Sequence, residues 1–199
     1  SLPELILSEQ VGMTGEDIMF SSNNTPMAEY DYAIKLGAIL NLDDISHIEY
    51  VERKHQLPKT ICFRYNPGPL RDGNIGKPEE AKYGLTKDQI LEAYAICKEK
   101  GCEKFGLHTM VVSNELNPEY FAETAKMMFD LIVEVYEKTG VRISFVDLGG
   151  GIGIPYRPEQ EPMDLEYVSS LIKKMYDEII VPAGLDPLKI MLECGRMGT

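Results

Sequence analysis

The chain has 199 residues, of which 44% are hydrophobic and 26% charged, and its formal net charge is −12 at pH 7. This length suffices for one large domain with a buried core. The acidic balance argues against nucleic acid and against an anionic membrane surface as partners, and no apolar run approaches the roughly 20 residues of a membrane span. The four cysteines show no C-x-x-C spacing, so we expect a reducing, cytoplasmic location.

Short apolar runs alternate with helix-like segments along almost the whole chain. Runs typical of buried strands lie at 17–22, 38–42, 60–65, 104–112, 142–148 and 189–193. Helical spacing with capping residues and terminating glycines predicts helices at 2–12, 25–36, 45–54, 86–100, 118–139 and 164–181. In the second of these helices, Thr25 is the predicted N-cap and Pro26 the first helical residue.

Strand–helix alternation of this kind predicts a parallel α/β sheet with right-handed crossovers. The six predicted strands would form part of a β/α barrel, which has eight, or an open doubly wound sheet. A dinucleotide fingerprint is a poor fit, because the glycines lack the G-x-G-x-x-G spacing and occur late in the chain. A Walker phosphate loop is also absent, because no Gly-Lys-Ser/Thr follows the glycines.

The most distinctive pattern is a strand-like run that ends in Gly149, Gly150 and Gly151. Three consecutive glycines suit a turn that needs φ > 0, or a backbone segment that lies against a ligand. The N–H groups of such a turn can bind phosphate, although a tight turn without a ligand is an equal alternative. A second strand-like run ends in E-C-G-R at 193–196. Functional groups in parallel α/β folds lie at the carboxyl ends of strands.

Five short motifs follow one another along the chain: R-Y-N-P-G at 64–68, A-K-Y-G-L at 81–85, G-L-H at 106–108, D-L-G-G-G-I-G-I-P-Y at 147–156 and E-C-G-R at 193–196. In the same order, they resemble R-x-N-P, S-K-F-G, G-x-H, D-x-G-G-G-x-G-x-x-Y and E-P-G-R of the pyridoxal-phosphate (PLP) barrel domain of diaminopimelate decarboxylases. This alanine-racemase-like group also includes ornithine and arginine decarboxylases. The resemblance covers nearly all of this chain but only the middle of a family member.

The resemblance implies that residues 1–199 form a single domain, a partial TIM-type (β/α)8 barrel of about six parallel strands. It implies pyridoxal 5'-phosphate as the cofactor and no metal. The implied substrate is a small amino acid, most simply meso-diaminopimelate that is decarboxylated to L-lysine. The resemblance further implies a homodimer for the full-length protein.

Individual residues also match functional positions of the family. Gly149, Gly150 and Gly151 match the turn that holds the cofactor phosphate. Glu193 matches the glutamate that pairs with the pyridine nitrogen, where a carboxylate keeps that nitrogen protonated so that the ring can absorb electrons released on decarboxylation. Arg196 matches an arginine that contacts the phosphate, for which a bidentate guanidinium is well suited.

Cofactor contacts are further implied for Arg64, Gly195 and Ser113. Met110 stands where the family has a histidine that stacks on the cofactor ring. Methionine can pack on a ring through its polarizable sulfur, but it cannot donate a proton. His108 matches an earlier family histidine on the same strand, and a direct catalytic role and a hydrogen-bonded interior role are equal alternatives for it.

The family links its cofactor to a lysine in a Y-x-x-K motif on the first barrel strand, and nothing in this chain matches that motif. Lys35 and Lys54 lie on predicted helices, where we expect both to face solvent. We therefore expect the chain to be an inactive fragment of an active decarboxylase. The alternative is a catalytically inactive relative that serves as a binding or interaction module.

Overall fold

The computed structural model describes residues 1–68 and 83–197. The described strands form one sheet: β1 (Met19–Ser21), β2 (Ile39–Leu42), β3 (Thr60–Tyr65), β4 (Lys104–Thr109), β5 (Ile143–Gly150) and β6 (Lys189–Glu193). Their order in the sheet follows their order in the chain, and every neighbouring pair is parallel. This arrangement confirms the predicted partial barrel of parallel strands.

Helices connect the strands, as the alternation predicts. They are α1 (Leu2–Gln10), α2 (Met27–Leu36), α3 (Ser46–Glu52), α4 (Lys87–Glu99), α5 (Pro118–Thr139) and α6 (Leu165–Met175), and α6 continues into a π-helical turn at Tyr176–Ile180. Among the described residues, no helix combines the length and the apolar character needed to cross a bilayer.

Glycines in the left-handed conformation end α2 and α5, at Gly37 and Gly140, because this conformation carries no steric penalty for a residue without Cβ. The start of α2 differs from the prediction by one residue. Pro26 has an extended ψ of 151° and is itself the N-cap, so Thr25 lies outside the helix and its side chain is buried.

The main hydrophobic core lies between the sheet and the helices. Helix α5 contributes Phe121, Met128, Phe129 and Ile132, which recur at helical spacing and are buried. Each such side chain contributes about 1.5–3 kcal/mol when it is fully removed from water. Helix α5 packs against α4, α6 and β5, so it holds the last strands in place.

The opposite, inner face of the sheet carries a second and smaller cluster, here named the apolar floor. Its members lie one to a strand: Met19, Ile39, Cys62, Gly106, Phe145 and Met191. At Gly106 a Cβ atom would lie 2.0 Å from carbons of the Phe145 ring. The missing side chain of Gly106 therefore gives the Phe145 ring its space inside the half-barrel.

Candidate functional site

A layer of polar side chains lies directly above the apolar floor. Because successive side chains of a strand point to opposite faces of the sheet, the residue two positions after each floor residue shares its face and lies nearer the carboxyl end. These residues, here named the polar layer, are Ser21, Asn41, Arg64, His108, Asp147 and Glu193. The inner face thus changes from largely apolar to wholly polar between two positions that are two residues apart on each strand.

Polar contacts link this layer across the sheet. The Nδ2 atom of Asn41 lies 2.5 Å from Oγ of Ser21 and 2.9 Å from Nδ1 of His108. The other ring nitrogen of His108, Nε2, lies 3.3 Å from Oε1 of Glu193, and the exposed side-chain fractions of these two residues are 2% and 42%. The contacts therefore lead from a buried histidine to a carboxylate that solvent or a ligand can reach.

The two carboxyl groups of the layer, those of Asp147 and Glu193, have opposite electrostatic environments. This difference exists although one oxygen of each and a ring nitrogen of His108 lie within 4.8 Å of one another. The polar contact with His108 lowers the pKa of Glu193 against the opposing effect of burial, and the nearby Arg64 lowers it further. Burial raises the pKa of Asp147, and the charge of Glu193 adds to this increase. Glu193 is thus favoured as the ionised group of the pair.

Arg64 brings a positive charge to the same layer. Its Nη2 lies 3.5 Å from the carbonyl oxygen of Met110, and its guanidinium lies 5.6 Å from the ring centre of Tyr83. Burial lowers the pKa of Arg64. Its Nε is buried and has no hydrogen-bond partner among the described residues. A buried donor without an acceptor is costly, so this group fits a site whose ligand supplies the acceptor.

The glycines at the end of β5 are required by close backbone packing. Gly149 and Gly151 have φ angles of 75° and 87°, which other L-residues rarely adopt. A Cβ at Gly149 would lie 2.2 Å from the carbonyl oxygen of Thr109, and one at Gly151 would lie 2.3 Å from that of Val112. The glycine run thus combines the predicted positive φ with close contact to neighbouring strands and loops.

Two of the glycine N–H groups already have partners within the protein. Gly149 donates to Oδ1 of Asp147 at 2.8 Å, and Gly150 donates to Sδ of Met110 at 3.4 Å. A thioether sulfur is a weak acceptor, so an anion would be a better partner for Gly150. The phosphate position at Gly149, Gly150 and Gly151 stays a prediction. Of the N–H groups of Gly149 and Gly150, that of Gly150 has the weaker acceptor and is the easier one to redirect to an anion.

A cation lies close to the same loops. Arg196 follows β6 in a short 3-10 turn (Gly195–Met197) and is exposed. Its Nη1 contacts the hydroxyl of Tyr156, and its Nη2 lies 3.4 Å from Oγ of Ser113. Donors from the segments after β4, β5 and β6 therefore converge, as an anion-binding site requires.

The loop after β4 is fixed against the glycine segment. The N–H of Glu115 donates to the carbonyl of Gly151, and its carbonyl accepts from Gly153, both at 2.8 Å. Asn114 has a φ of 55° and accepts the N–H of Ile154 at 3.1 Å. These bonds fix the loop that carries Ser113 against the glycine segment, and the cofactor contact of Ser113 stays a prediction.

The two lysines with a predicted position lie outside the site. Lys35 and Lys54 are exposed and contact Glu9 and Asp31, at 3.3 and 2.6 Å, so neither belongs to the polar layer. The first two residues of the motif at 81–85 lie outside the described residues. The sequence assigned no role to Ser21, Asn41 or Asp147, although Asp147 opens the motif at 147–156. Each lies two residues after the inward apolar residue of its strand, and only the structure shows which apolar residue faces inward.

Comparison with known proteins identifies the family. Over residues 1–199, the sequence matches the family described as pyridoxal-dependent decarboxylase, pyridoxal binding domain. It is 30% identical to protein TabA of Pseudomonas amygdali pv. tabaci over 195 residues, which are 97% of this chain and 45% of that protein. It is also 30% identical to diaminopimelate decarboxylase of Methanothermobacter thermautotrophicus over 196 residues, which are 97% of this chain and 46% of that protein.

Solved structures agree in fold. Diaminopimelate decarboxylase of M. jannaschii in complex with L-lysine has a TM-score of 0.84 and 23% identity, over 98% of this chain and 47% of that chain. The Helicobacter pylori enzyme with L-lysine has a TM-score of 0.80 and 23% identity, over 98% of this chain and 50% of that chain. The chain thus spans about half the length of the relatives it matches. It belongs to the pyridoxal binding domain family of the pyridoxal-dependent decarboxylases, which confirms PLP as the predicted cofactor.

Proposed function

We propose that this chain forms most of the cofactor-binding barrel of an amino-acid decarboxylase that converts meso-diaminopimelate to L-lysine in the full-length protein. The main support is Glu193, an accessible carboxylate whose pKa is lowered by His108 at the carboxyl edge of the sheet. Relatives named diaminopimelate decarboxylase support the substrate class.

The described residues fit PLP in three places. The N–H of Gly150, whose present acceptor is a thioether, and the pair Arg196 and Ser113 suit its phosphate. Glu193 suits its ring nitrogen, and the orphaned Nε of Arg64 suits an acceptor on the cofactor or the substrate. When bound, PLP supplies an electron sink for the electrons released on decarboxylation.

Each residue then has a defined task. Glu193 holds a proton at the ring nitrogen, because an ionised carboxylate favours the protonated pyridine. Arg196 and Ser113 orient the phosphate from the loops that follow β6 and β4. Met110 offers an apolar, polarizable surface and cannot exchange a proton. This difference from the family histidine leaves proton transfer at that face to another group.

In the full-length protein, we propose a homodimer in which the partner and a lysine outside this chain complete the site. The cysteines of this chain are free, which supports a reducing compartment such as the cytoplasm. The alternative is an inactive binding module. The Glu193 carboxylate, which His108 favours in its ionised form, supports the decarboxylase, because binding alone does not need a proton held on the pyridine nitrogen.

The test uses the full-length protein, PLP, and meso-diaminopimelate, ornithine and arginine as substrates. We expect CO2 release with a preference for meso-diaminopimelate. Glu193→Gln should lower kcat by roughly 10²–10³, as for loss of one charge-stabilising group, with a smaller change in PLP affinity. Glu103→Gln alters an exposed glutamate paired with Lys59 and should leave kcat unchanged. Near-normal turnover of Glu193→Gln would refute the assignment, and PLP binding without decarboxylation of any substrate would favour the binding module.

A further inference from the structure

Asn41 occupies an unusual position in the polar layer. It lies on β2 with 3% of its surface exposed. Its Nδ2 is within hydrogen-bond distance of both Ser21 Oγ, at 2.5 Å, and His108 Nδ1, at 2.9 Å. An amide nitrogen carries two hydrogens, so one amide can donate to both acceptors. Its Oδ1 is buried and has no hydrogen-bond partner among the described residues, which indicates that Asn41 is held by its N–H groups.

The donation from Asn41 determines the tautomer of His108. A neutral imidazole has one N–H and one acceptor nitrogen. If Nδ1 accepts from Asn41, the ring hydrogen is on Nε2. This atom lies 3.3 Å from Oε1 of Glu193, an ion-pair contact without hydrogen-bond geometry. A carboxylate oxygen only accepts hydrogen bonds, so Nε2–H is the form of the neutral ring that suits it. Both ends of the imidazole thus favour the same tautomer.

We propose that Asn41 is a positioning residue that fixes the Nε2–H tautomer of His108, and that His108 thereby holds the Glu193 carboxylate in place for the ring nitrogen. This inference rests on the proposed function for its catalytic consequence, but the tautomer is a property of the chain alone. Two further titratable groups lie beside His108 and Glu193. A carboxylate oxygen of Asp147 lies within 4.8 Å of a ring nitrogen of His108 and of a carboxylate oxygen of Glu193. The positive charge of Arg64 also acts on Glu193.

The competing arrangement places the amide oxygen of Asn41 toward His108. Nδ1 would then have to carry a hydrogen. The neutral ring would present a bare Nε2 to Glu193, so that only a cationic ring could satisfy both neighbours. The two arrangements therefore differ in the number and position of ring hydrogens, which nitrogen NMR distinguishes.

The experiment uses the full-length protein with ¹⁵N-histidine, recorded without and with PLP near neutral pH. His108→Gln identifies the His108 signals among those of the other histidines. We expect a protonated Nε2 and a non-protonated Nδ1. In Asn41→Asp, a carboxylate faces Nδ1 and should draw a hydrogen onto that nitrogen. We expect kcat to fall about tenfold or more with a smaller change in KM, as for loss of an orienting partner.

Asn117→Asp is the matched control. Asn117 is an exposed N-cap of α5, and aspartate caps a helix equally well, so the His108 signals and kcat should not change. Asn41→Leu, which removes the hydrogen bonds at similar volume, guards against a change caused by the new charge and should leave a mixture of tautomers.

The outcomes separate the two proposals. An Nδ1–H or doubly protonated His108 in the unaltered protein, or His108 signals that ignore Asn41→Asp, would overturn the positioning role even if the protein is an active decarboxylase. The expected tautomer and its response to Asn41→Asp in a protein that does not decarboxylate would support the positioning of His108 and refute the proposed function instead.

Discussion

The apolar floor and the polar layer lie on the same face of the same strands, only two residues apart. The side chains of the floor are packed, whereas several polar atoms of the layer lack hydrogen-bond partners among the described residues. The floor packs Ile39, Cys62 and Phe145 at 2% exposure or less. The polar layer leaves atoms of Asn41, Arg64 and His108 buried without a hydrogen bond among the described residues. Each such atom costs about 1–3 kcal/mol.

This difference separates stability from binding along the strand direction. The floor consists of side chains that pack against one another. The layer above keeps unsatisfied donors and acceptors close together, which a ligand can satisfy. Changes in the floor should therefore reduce stability. Changes to polar-layer groups that lack a partner, such as Arg64, should reduce binding and leave stability equal or higher.

The largest expected effect is in the floor. Phe145→Ala removes a buried ring, with 1% exposure, beside a glycine that cannot fill the space. We expect the free energy of unfolding to fall by about 3–5 kcal/mol, measured by urea denaturation. A loss below 1 kcal/mol would mean that the floor is not a packed layer.

The next effect concerns the glycine segment beside the polar layer. Gly149→Ala places Cβ 2.2 Å from the Thr109 carbonyl oxygen at a φ of +75°, and we expect a loss of about 3 kcal/mol from overpacking and strain. The matched control is Gly12→Ala, with a φ of +85° and no atom within 4 Å of the added Cβ. It should cost only the roughly 1–2 kcal/mol of a left-handed alanine. Equal losses in the two variants would show that close packing at Gly149 is unimportant.

A substitution that should maintain or raise the free energy of unfolding tests the polar layer. Arg64→Met gives an apolar side chain of similar length and removes a half-buried guanidinium whose buried Nε lacks a partner among the described residues. We expect unfolding to require as much free energy as before, or about 1 kcal/mol more, whereas PLP affinity of the full-length protein falls. Calorimetry and cofactor titration measure the two quantities. A clear loss of stability would place Arg64 among the structural residues.

The smallest expected effect depends on pH. Burial raises the pKa of Asp147, so the folded state holds this proton more tightly than the unfolded chain. Its contribution to stability therefore declines as pH rises from the unfolded value of about 3.9 through the folded pKa. Asp147→Asn keeps an oxygen for the N–H of Gly149 and should abolish this decline, so that the variant is more stable than the unaltered protein at neutral pH.

Glu193 should show the opposite pH dependence to Asp147, because its pKa is lowered. Its contribution is present above the unfolded value of about 4.3 and is lost as pH falls through the folded pKa. Glu193→Gln should therefore flatten the acid side of the stability profile. Unfolding curves measured between pH 3 and 8 compare the two variants. Identical profiles for both would contradict the opposite environments of the two carboxyl groups.

Much of the fold could be predicted from the sequence, because local signals agree with it. The capping box of Thr86 and Gln89 begins α4, and Gly37 and Gly140 end their helices as predicted. Predicted strand 104–112 extends beyond β4, which ends at Thr109. The apolar residues that follow belong instead to the loop fixed against the glycine segment.

The site was less visible for a physical reason. All four residues of β2 are buried, because a parallel strand is covered on both faces and reads as one apolar run. The sequence of β2 therefore does not show that Asn41 lies on the inner face of the sheet. Motif resemblance pointed to Glu193, His108 and Arg196, whose roles stay predictions. The sulfur contact between Met110 and Gly150 depends on how two loops meet in space, and no local pattern reports it.

The space that Gly106 leaves for Phe145 restricts the order in which these two positions can change. A side chain added at 106 while the ring remains would bring atoms to 2.0 Å, so that variant is blocked. Reducing residue 145 first opens a cavity, which costs about 3–5 kcal/mol, and only then does residue 106 have room to grow. A redesigned floor must therefore pass through a destabilised intermediate, or change both residues in a single step.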